Sequence, residues 1–174
     1  CSKVCCGHAV KNAIKLKEKN PAMRIYILFR DMRTYGFKED AYRHASELGV
    51  QFIRYTPEDP PVVEAAKEGG KEIIRVTVAD PILGQRLELD ADILSLAAAV
   101  IPAESTHEIA RHFKVTLSPD EFFKEAHVKL KPVEFATDGV FLCGTAHYPK
   151  HIPETINQAY GAAGRVLTLL SRDT

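Results

Sequence analysis

The 174 residues hold 23 basic and 23 acidic side chains, with 45% hydrophobic and 26% charged residues overall. This is the profile of a water-soluble globular protein, and its balanced charge gives no reason to expect nucleic acid or an anionic membrane as a partner. The longest apolar run, 93–101, is broken by Ser95 and is far shorter than the roughly 20 residues that a membrane-spanning helix needs.

Residues 2–19 read as a helix: Val4, Ala9, Ala13, Ile14 and Leu16 stand among lysines, and Asn20-Pro21 stops it. Residues 24–29, rich in β-branched and aromatic side chains, read as a buried strand. After a loop at 31–36, a second helix is predicted over 37–48, ended by Gly49, and a strand over 50–55. Strand, helix and strand in this order predict a parallel pair joined by a crossover.

Pro57 to Pro61 is a loop, and 73–78 with 85–89 reads as a β-hairpin turning through Asp80-Pro81 and Gly84. The apolar run 93–100 reads as a buried strand. Ser105 is placed to cap a helix reaching Phe113, and Ser118-Pro119-Asp120-Glu121 has the composition of another helix start. Residues 139–143 read as a short strand, 144–151 as a loop, and 152–170 as a long amphipathic helix opened by Pro153 and Glu154. The predicted division is an α/β half over 1–102 and a returning segment over 103–174.

Three of the four cysteines, Cys1, Cys5 and Cys6, fall within the first six residues. So tight a cluster suits metal binding or redox chemistry in a reducing compartment, and predicts a cytoplasmic protein. Residues four apart share a helix face, so Cys1 and Cys5 can reach one object, while Cys6 points about 100° away. Thiolates are soft ligands for iron–sulfur clusters or zinc. Three are too few for a four-cysteine site, so a fourth donor comes from upstream, from Cys143 or from another chain; ordinary helix cysteines are the competing reading. The chain opens on Cys1, already inside this motif, and is expected to be part of a longer protein.

A second candidate is Asp138-Gly-Val-Phe-Leu-Cys-Gly144 running into the 152–170 helix. A strand, a glycine turn and a helix N-terminus bring backbone N–H groups and a positive dipole end to one spot, suited to a phosphate or the electron-rich edge of a flavin. A plain strand–loop–helix connection is the competing reading. Lys11 follows Cys6 by five residues and belongs either to a site or to the solvated basic face formed with Lys15, Lys17 and Lys19. Most histidines read as surface or helix-end residues, Cys143 as a buried strand cysteine, and Arg30-Asp31-Met32-Arg33 as a charged loop with a local Asp–Arg pair.

In combination these motifs are more specific. Cys1-Ser-Lys-Val-Cys5-Cys6, Lys11, Phe29-Arg-Asp-Met-Arg-Thr-Tyr-Gly36, Gly49-Val-Gln-Phe-Ile-Arg-Tyr55, Asp138 to Gly144 and Pro149-Lys-His-Ile-Pro-Glu-Thr-Ile-Asn-Gln-Ala159 stand in the order found in the A-subunit of heterodisulfide reductase (HdrA) and its relatives. The chain resembles that family over essentially its whole length. The resemblance implies an α/β fragment of a thioredoxin-reductase-like, two-Rossmann-type flavoprotein fold, with a parallel sheet, a β-hairpin and a long C-terminal helix. It also implies FAD and 4Fe–4S cofactors in the full-length protein, incomplete or absent in this segment alone.

By the same resemblance Cys1, Cys5 and Cys6 are cluster ligands, with a further ligand just upstream. Lys11 is a catalytic residue beside the flavin ring, and Gly144, Thr145, Pro149, Lys150, His151 and Ile152 lie against FAD. Implied partners are other heterodisulfide reductase-like subunits and electron-carrier proteins, with flavin-based bifurcation as the reaction scheme. Three family features are missing from these residues: a G-x-G-x-x-G phosphate loop, ferredoxin-type cysteine runs and a C-x-x-C dithiol. Gly144-Thr145 stands where flavoproteins of this fold carry Gly-Asp. Two other readings compete: a non-catalytic interaction or scaffold domain on the same fold, and a zinc module short of a fourth ligand.

Overall fold

The computed structural model describes residues 1–171, which divide into two compact units. One is Cys5–Ala98; the other is Cys1–Val4 together with the chain from Ala99 onward. The fold is mixed α/β, with a two-stranded parallel sheet, a three-stranded antiparallel sheet and a long C-terminal helix.

The first unit opens with α1 (Cys5–Lys19), β1 (Tyr26–Phe29), α2 (Lys38–Glu47) and β2 (Gln51–Arg54). Val10 and Ala13, three apart on one face of α1, are buried with Ala45 of α2 and Val50. Ile14, Ile27, Tyr42 and Phe52 pack around them, the last two edge to face with ring centroids 4.5 Å apart. The chain leaves α2 through Gly49 at φ +84°, a left-handed conformation that glycine adopts without steric cost. β1 and β2 then pair in parallel, Tyr26 opposite Gln51 and Phe29 opposite Arg54, as the strand–helix–strand order predicts. The first helix begins at Cys5 rather than Ser2.

The antiparallel sheet is β3 (Val62–Glu68), β4 (Lys71–Asp80) and β5 (Gln85–Ala91), with β4 central. The β4–β5 hairpin forms as predicted: Asp80 Oδ1 accepts from the N–H groups of Ile82 and Leu83 at 2.8 and 3.1 Å, which closes the turn. β3 is an addition to the predicted elements, although Gly69-Gly70, both at positive φ, is a tight-hairpin signal. Residues 93–100 form no strand. β5 ends at Ala91 and no described strand pairs with the run that follows, so Ile93 and Leu96 stand 83% and 80% exposed. An apolar run without a hydrogen-bonding neighbour has no ladder to join.

The second unit holds α3 (Thr106–Phe113) and α4 (Ile152–Leu170). Ser105 does not cap α3: its backbone is already helical and its side chain makes no cap hydrogen bond. No helix starts at Ser118. Glu121 takes φ +64°, Ser118 N–H donates to the Phe122 carbonyl at 2.7 Å, and the chain doubles back so that Leu117 bridges Phe123 and Phe122 is buried. The predicted strand at 139–143 is reduced to a single bridge, Phe141 with Glu134, flanked by a Leu142 N–H to Val133 carbonyl bond of 2.9 Å. Among the described residues no helix is long and apolar enough to cross a membrane.

Candidate functional site

In the second unit, the chain emerging from Leu142 turns at Gly144, whose φ of +73° opens a short 3₁₀ turn over Gly144–Ala146. His147 follows, and Pro149 and Lys150 are buried. His151 is extended, which lets α4 begin at Ile152; Glu154 Oε2 accepts the His151 backbone N–H at 2.9 Å, half of a capping box. Gln158 stands one turn beyond Glu154 on the same face of α4. Its Oε1 accepts the Gly144 N–H at 2.9 Å.

These bonds fix the protons of His147. A backbone N–H can only donate, so the Gln158 oxygen faces Gly144 and its NH₂ faces His147 Nδ1, 2.8 Å away. Nδ1 therefore accepts, and it also lies 3.2 Å from the Lys150 ammonium, another obligate donor. The ring proton sits on Nε2 and is donated to Glu125 Oε2 at 2.8 Å. Burial, together with the charge of Lys150, holds His147 below the ordinary imidazole value, so the ring is neutral; Glu125 and Gln158 oppose this shift. Burial is the largest single influence on Glu125 and works to raise it, but the hydrogen bond from His147, a backbone hydrogen bond and the charge of Lys124 together outweigh it, and its carboxyl ends below the usual range.

Lys150 carries the largest perturbation. Burial, and then repulsion from Lys3, pulls its ammonium down to about 8 against the opposing pull of Glu154 and Glu125. Its Nζ stands 2.9 Å from the centroid of the Tyr148 ring. Lys3 is committed elsewhere, with its Nζ 2.5 Å from Glu154 Oε1. Glu125, His147 and Tyr148 line one wall of an open cavity of about 400 Å³ that Cys1, Phe122 and Phe123 also border.

The expected flavin-side residues are thus divided. Gly144 and Lys150 join the polar network of His147, His151 is tied to Glu154, Pro149 lines the cavity, and Thr145 and Ile152 are exposed. The N–H groups of Gly144 and His151 are already taken by Gln158 and Glu154. His147 is buried, not a surface histidine, because the 3₁₀ turn carries it inward onto Glu125. Cys143 is exposed, not buried, since the segment around it forms one bridge rather than a covered strand. Lys3, Glu154 and Gln158 lie within the quoted motifs but are given no site role there, and Glu125 lies outside every motif. The four-residue spacing of Glu154 and Gln158 on a helix is a usable signal; nothing in the sequence marks Glu125.

The three N-terminal cysteines fall in different units, Cys1 in the second and Cys5 and Cys6 at the start of α1 in the first. All are free thiols. Cys6 donates to the Asp31 carbonyl at 3.6 Å, and burial followed by the neighbouring Cys5 pushes its thiol up. Asp31 also pairs with Arg33 and Arg54, at 3.8 and 3.5 Å, in the expected charged loop. Lys11 is exposed on α1. Among the described residues no three His, Cys, Asp or Glu side chains gather into a metal-ligand set.

No family model matches the chain. It is 41% identical over 172 residues to the iron-sulfur A-subunit of the CoB–CoM heterodisulfide reductase of Methanocaldococcus jannaschii, a match covering 95% of this chain and 25% of that protein. It is 39% identical over 171 residues to the A-subunit of the ferredoxin:CoB-CoM heterodisulfide reductase of Methanosarcina acetivorans, covering 98% of this chain and 21% of the relative. A protein of Archaeoglobus profundus named as similar to the heterodisulfide reductase A-subunit is 38% identical over 177 residues, 98% of this chain and 24% of its own length. The chain spans about a quarter of the length of these curated relatives.

Proposed function

We propose that this chain, a segment of the heterodisulfide reductase A-subunit family, works within an electron-transfer oxidoreductase that carries FAD and 4Fe–4S centres. The observation that carries the reading is 38–41% identity, sustained over nearly all of the chain, to subunits named as heterodisulfide reductases. On this reading the segment belongs to a thioredoxin-reductase-like flavoprotein and works beside other reductase subunits and electron carriers.

The donor chemistry suits iron–sulfur ligation in part. Cys5 and Cys6 are neighbouring free thiols that interact with each other at the start of a helix, and thiolates are the ligands such clusters take. Cys1 would be the third ligand, with a fourth from outside these residues. When bound, the flavin and cluster supply exchange between electron pairs and single electrons. The chain's own part is to hold and to charge. Lys11 would place a positive charge beside the flavin ring, and Gly144, Thr145, Pro149, Lys150, His151 and Ile152 would border the cofactor, with Lys150 as the buried cation among them. Passing electrons singly from the flavin to separate clusters, the bifurcating scheme of this family, is part of the same proposal.

The test is a full-length protein containing this segment, purified without oxygen and assayed for iron and flavin, with Cys5→Ala compared alongside. We expect iron to fall by one cluster's worth while flavin is retained. Iron content identical in the variant would overturn the ligand assignment, and a colourless full-length protein would overturn the redox reading itself.

A further inference from the structure

We propose that Arg54 is a positioning residue for the Cys6 sulfur: it clamps the 30–33 loop so that a backbone N–H stays on that sulfur and raises the potential of a cluster ligated there. The inference rests on the reading of Cys5 and Cys6 as cluster ligands, and gives a role to a motif that this reading leaves unused. β1 and β2 run in parallel with Phe29 opposite Arg54, so the 30–33 loop and the Arg54 side chain leave the sheet at the same end. There the loop meets the start of α1. Cys6 Sγ donates to the Asp31 carbonyl at 3.6 Å, and the Arg33 backbone N–H donates to the same sulfur.

Two residues hold this loop. Met32, between the carbonyl and the N–H that meet the sulfur, packs against the core of Val10, Ala13, Ala45 and Val50. Arg54 grips the loop from the end of β2: its Nε donates to the Arg30 carbonyl at 2.9 Å, and a terminal nitrogen lies 3.5 Å from Asp31 Oδ1. Arg33 pairs with the other oxygen of that carboxylate at 3.8 Å. The planar guanidinium fork thus spans the backbone of one loop residue and the side chain of the next, a reach that a single ammonium does not reproduce. Arg54 and Asp31 are both exposed, and an exposed ion pair adds little to stability, so what the clamp contributes is geometry.

The two contacts at the sulfur answer to different states of Cys6. The Asp31 carbonyl can only accept, so it needs an S–H, and a thiolate ligand has none. The Arg33 N–H is a donor and bonds more strongly to a charged sulfur. A ligated Cys6 therefore leaves the loop with one of its two ties, and with a carbonyl oxygen beside a negative atom. Met32 and Arg54 are what keep the loop in place against that. A hydrogen bond to a ligand sulfur favours the more negative, reduced cluster and so raises its potential. Arg54 touches neither sulfur nor cofactor; it acts through the loop.

The experiment purifies the full-length protein without oxygen as wild type, Cys5→Ala, Arg54→Lys and Arg54→Met, and follows redox titrations by electron paramagnetic resonance. The cluster in question is the one whose signal Cys5→Ala abolishes; if no signal goes, the ligand reading falls and this inference with it. If one does, Arg54→Lys decides. It keeps the positive charge and loses the fork, so a charge effect alone predicts the wild-type midpoint. Positioning predicts a lower midpoint in Arg54→Lys and a lower one still in Arg54→Met, the latter by about tenfold in the oxidised-to-reduced ratio, or ~59 mV for one electron. Iron content should hold in both. Arg54→Lys titrating at or above the wild-type midpoint overturns the proposal while the ligand reading stands. Loss of that cluster's iron in either Arg54 variant overturns it too, since the clamp tunes the sulfur and does not retain the metal. Arg54 is exposed, so neither substitution opens a cavity in the core.

Discussion

Lys150→Met is the most direct probe of the network around α4. The ammonium is held at about 8 against an ordinary 10.5, so folding it in its charged form costs about 3 kcal/mol. The sign follows from proton counts. Between the two values the unfolded chain binds more protons at this group than the folded one, so stability rises with pH across that window. Methionine fills a similar volume and carries no charge, and His147 Nδ1 keeps its Gln158 donor at 2.8 Å, so no buried acceptor is orphaned. The variant should therefore be more stable than wild type at pH 7 by about 1–3 kcal/mol, less than the full cost because the cation–ring contact is lost too. Urea unfolding of both proteins at pH 7 and 9.5 checks this. The advantage of the variant should shrink by about 2 kcal/mol between the two conditions. Taking the difference between the proteins removes every other group that titrates in the same range. A variant less stable than wild type at pH 7, or an advantage independent of pH, would show that Lys150 is not a desolvated cation.

Two further perturbations test other parts of the chain. Gly144→Ala has room for its methyl group, 3.5 Å from Thr155 Cγ2, so its cost comes from φ of +73° and should be about 1–2 kcal/mol by denaturant unfolding; a change under about 0.5 kcal/mol would mean the turn does not need its left-handed residue. In cofactor-free protein at pH 7, Cys6 should be alkylated by iodoacetamide more slowly than a model thiol, because burial and the adjacent Cys5 hold it protonated. Equal rates would refute that environment.

The first unit is legible because its signals are local. Asn20-Pro21, Gly49, the β-branched run before Arg30 and the Asp80 turn each act within a few residues, and the structure follows them. The failures share a cause. Residues 93–100 read as a strand from composition alone, yet a strand exists only where another backbone accepts its hydrogen bonds. Ser118-Pro119-Asp120-Glu121 carries helix-start residues, but the chain beyond it supplies Phe122 to a buried position, and reaching that position takes a reversal at Glu121. Tertiary placement overrides a weak local preference in both cases.

The polar network is illegible for a further reason. His147 and Lys150 are three residues apart and lie within a recognisable motif, but their chemistry depends on Glu125, 22 residues upstream of His147, and on Gln158, 11 downstream. No spacing rule links such positions; the 3₁₀ turn and the first turns of α4 bring them together. Gly144 carries more than its motif suggests. The motif offers its N–H, at a helix start, to an outside anion. That same N–H, by holding the Gln158 oxygen, orients the amide, fixes the imidazole tautomer and leaves Nδ1 to the amine. In this structure that donor holds the Gln158 amide. Replacing the Gln158 amide would therefore disturb Lys150 without touching it.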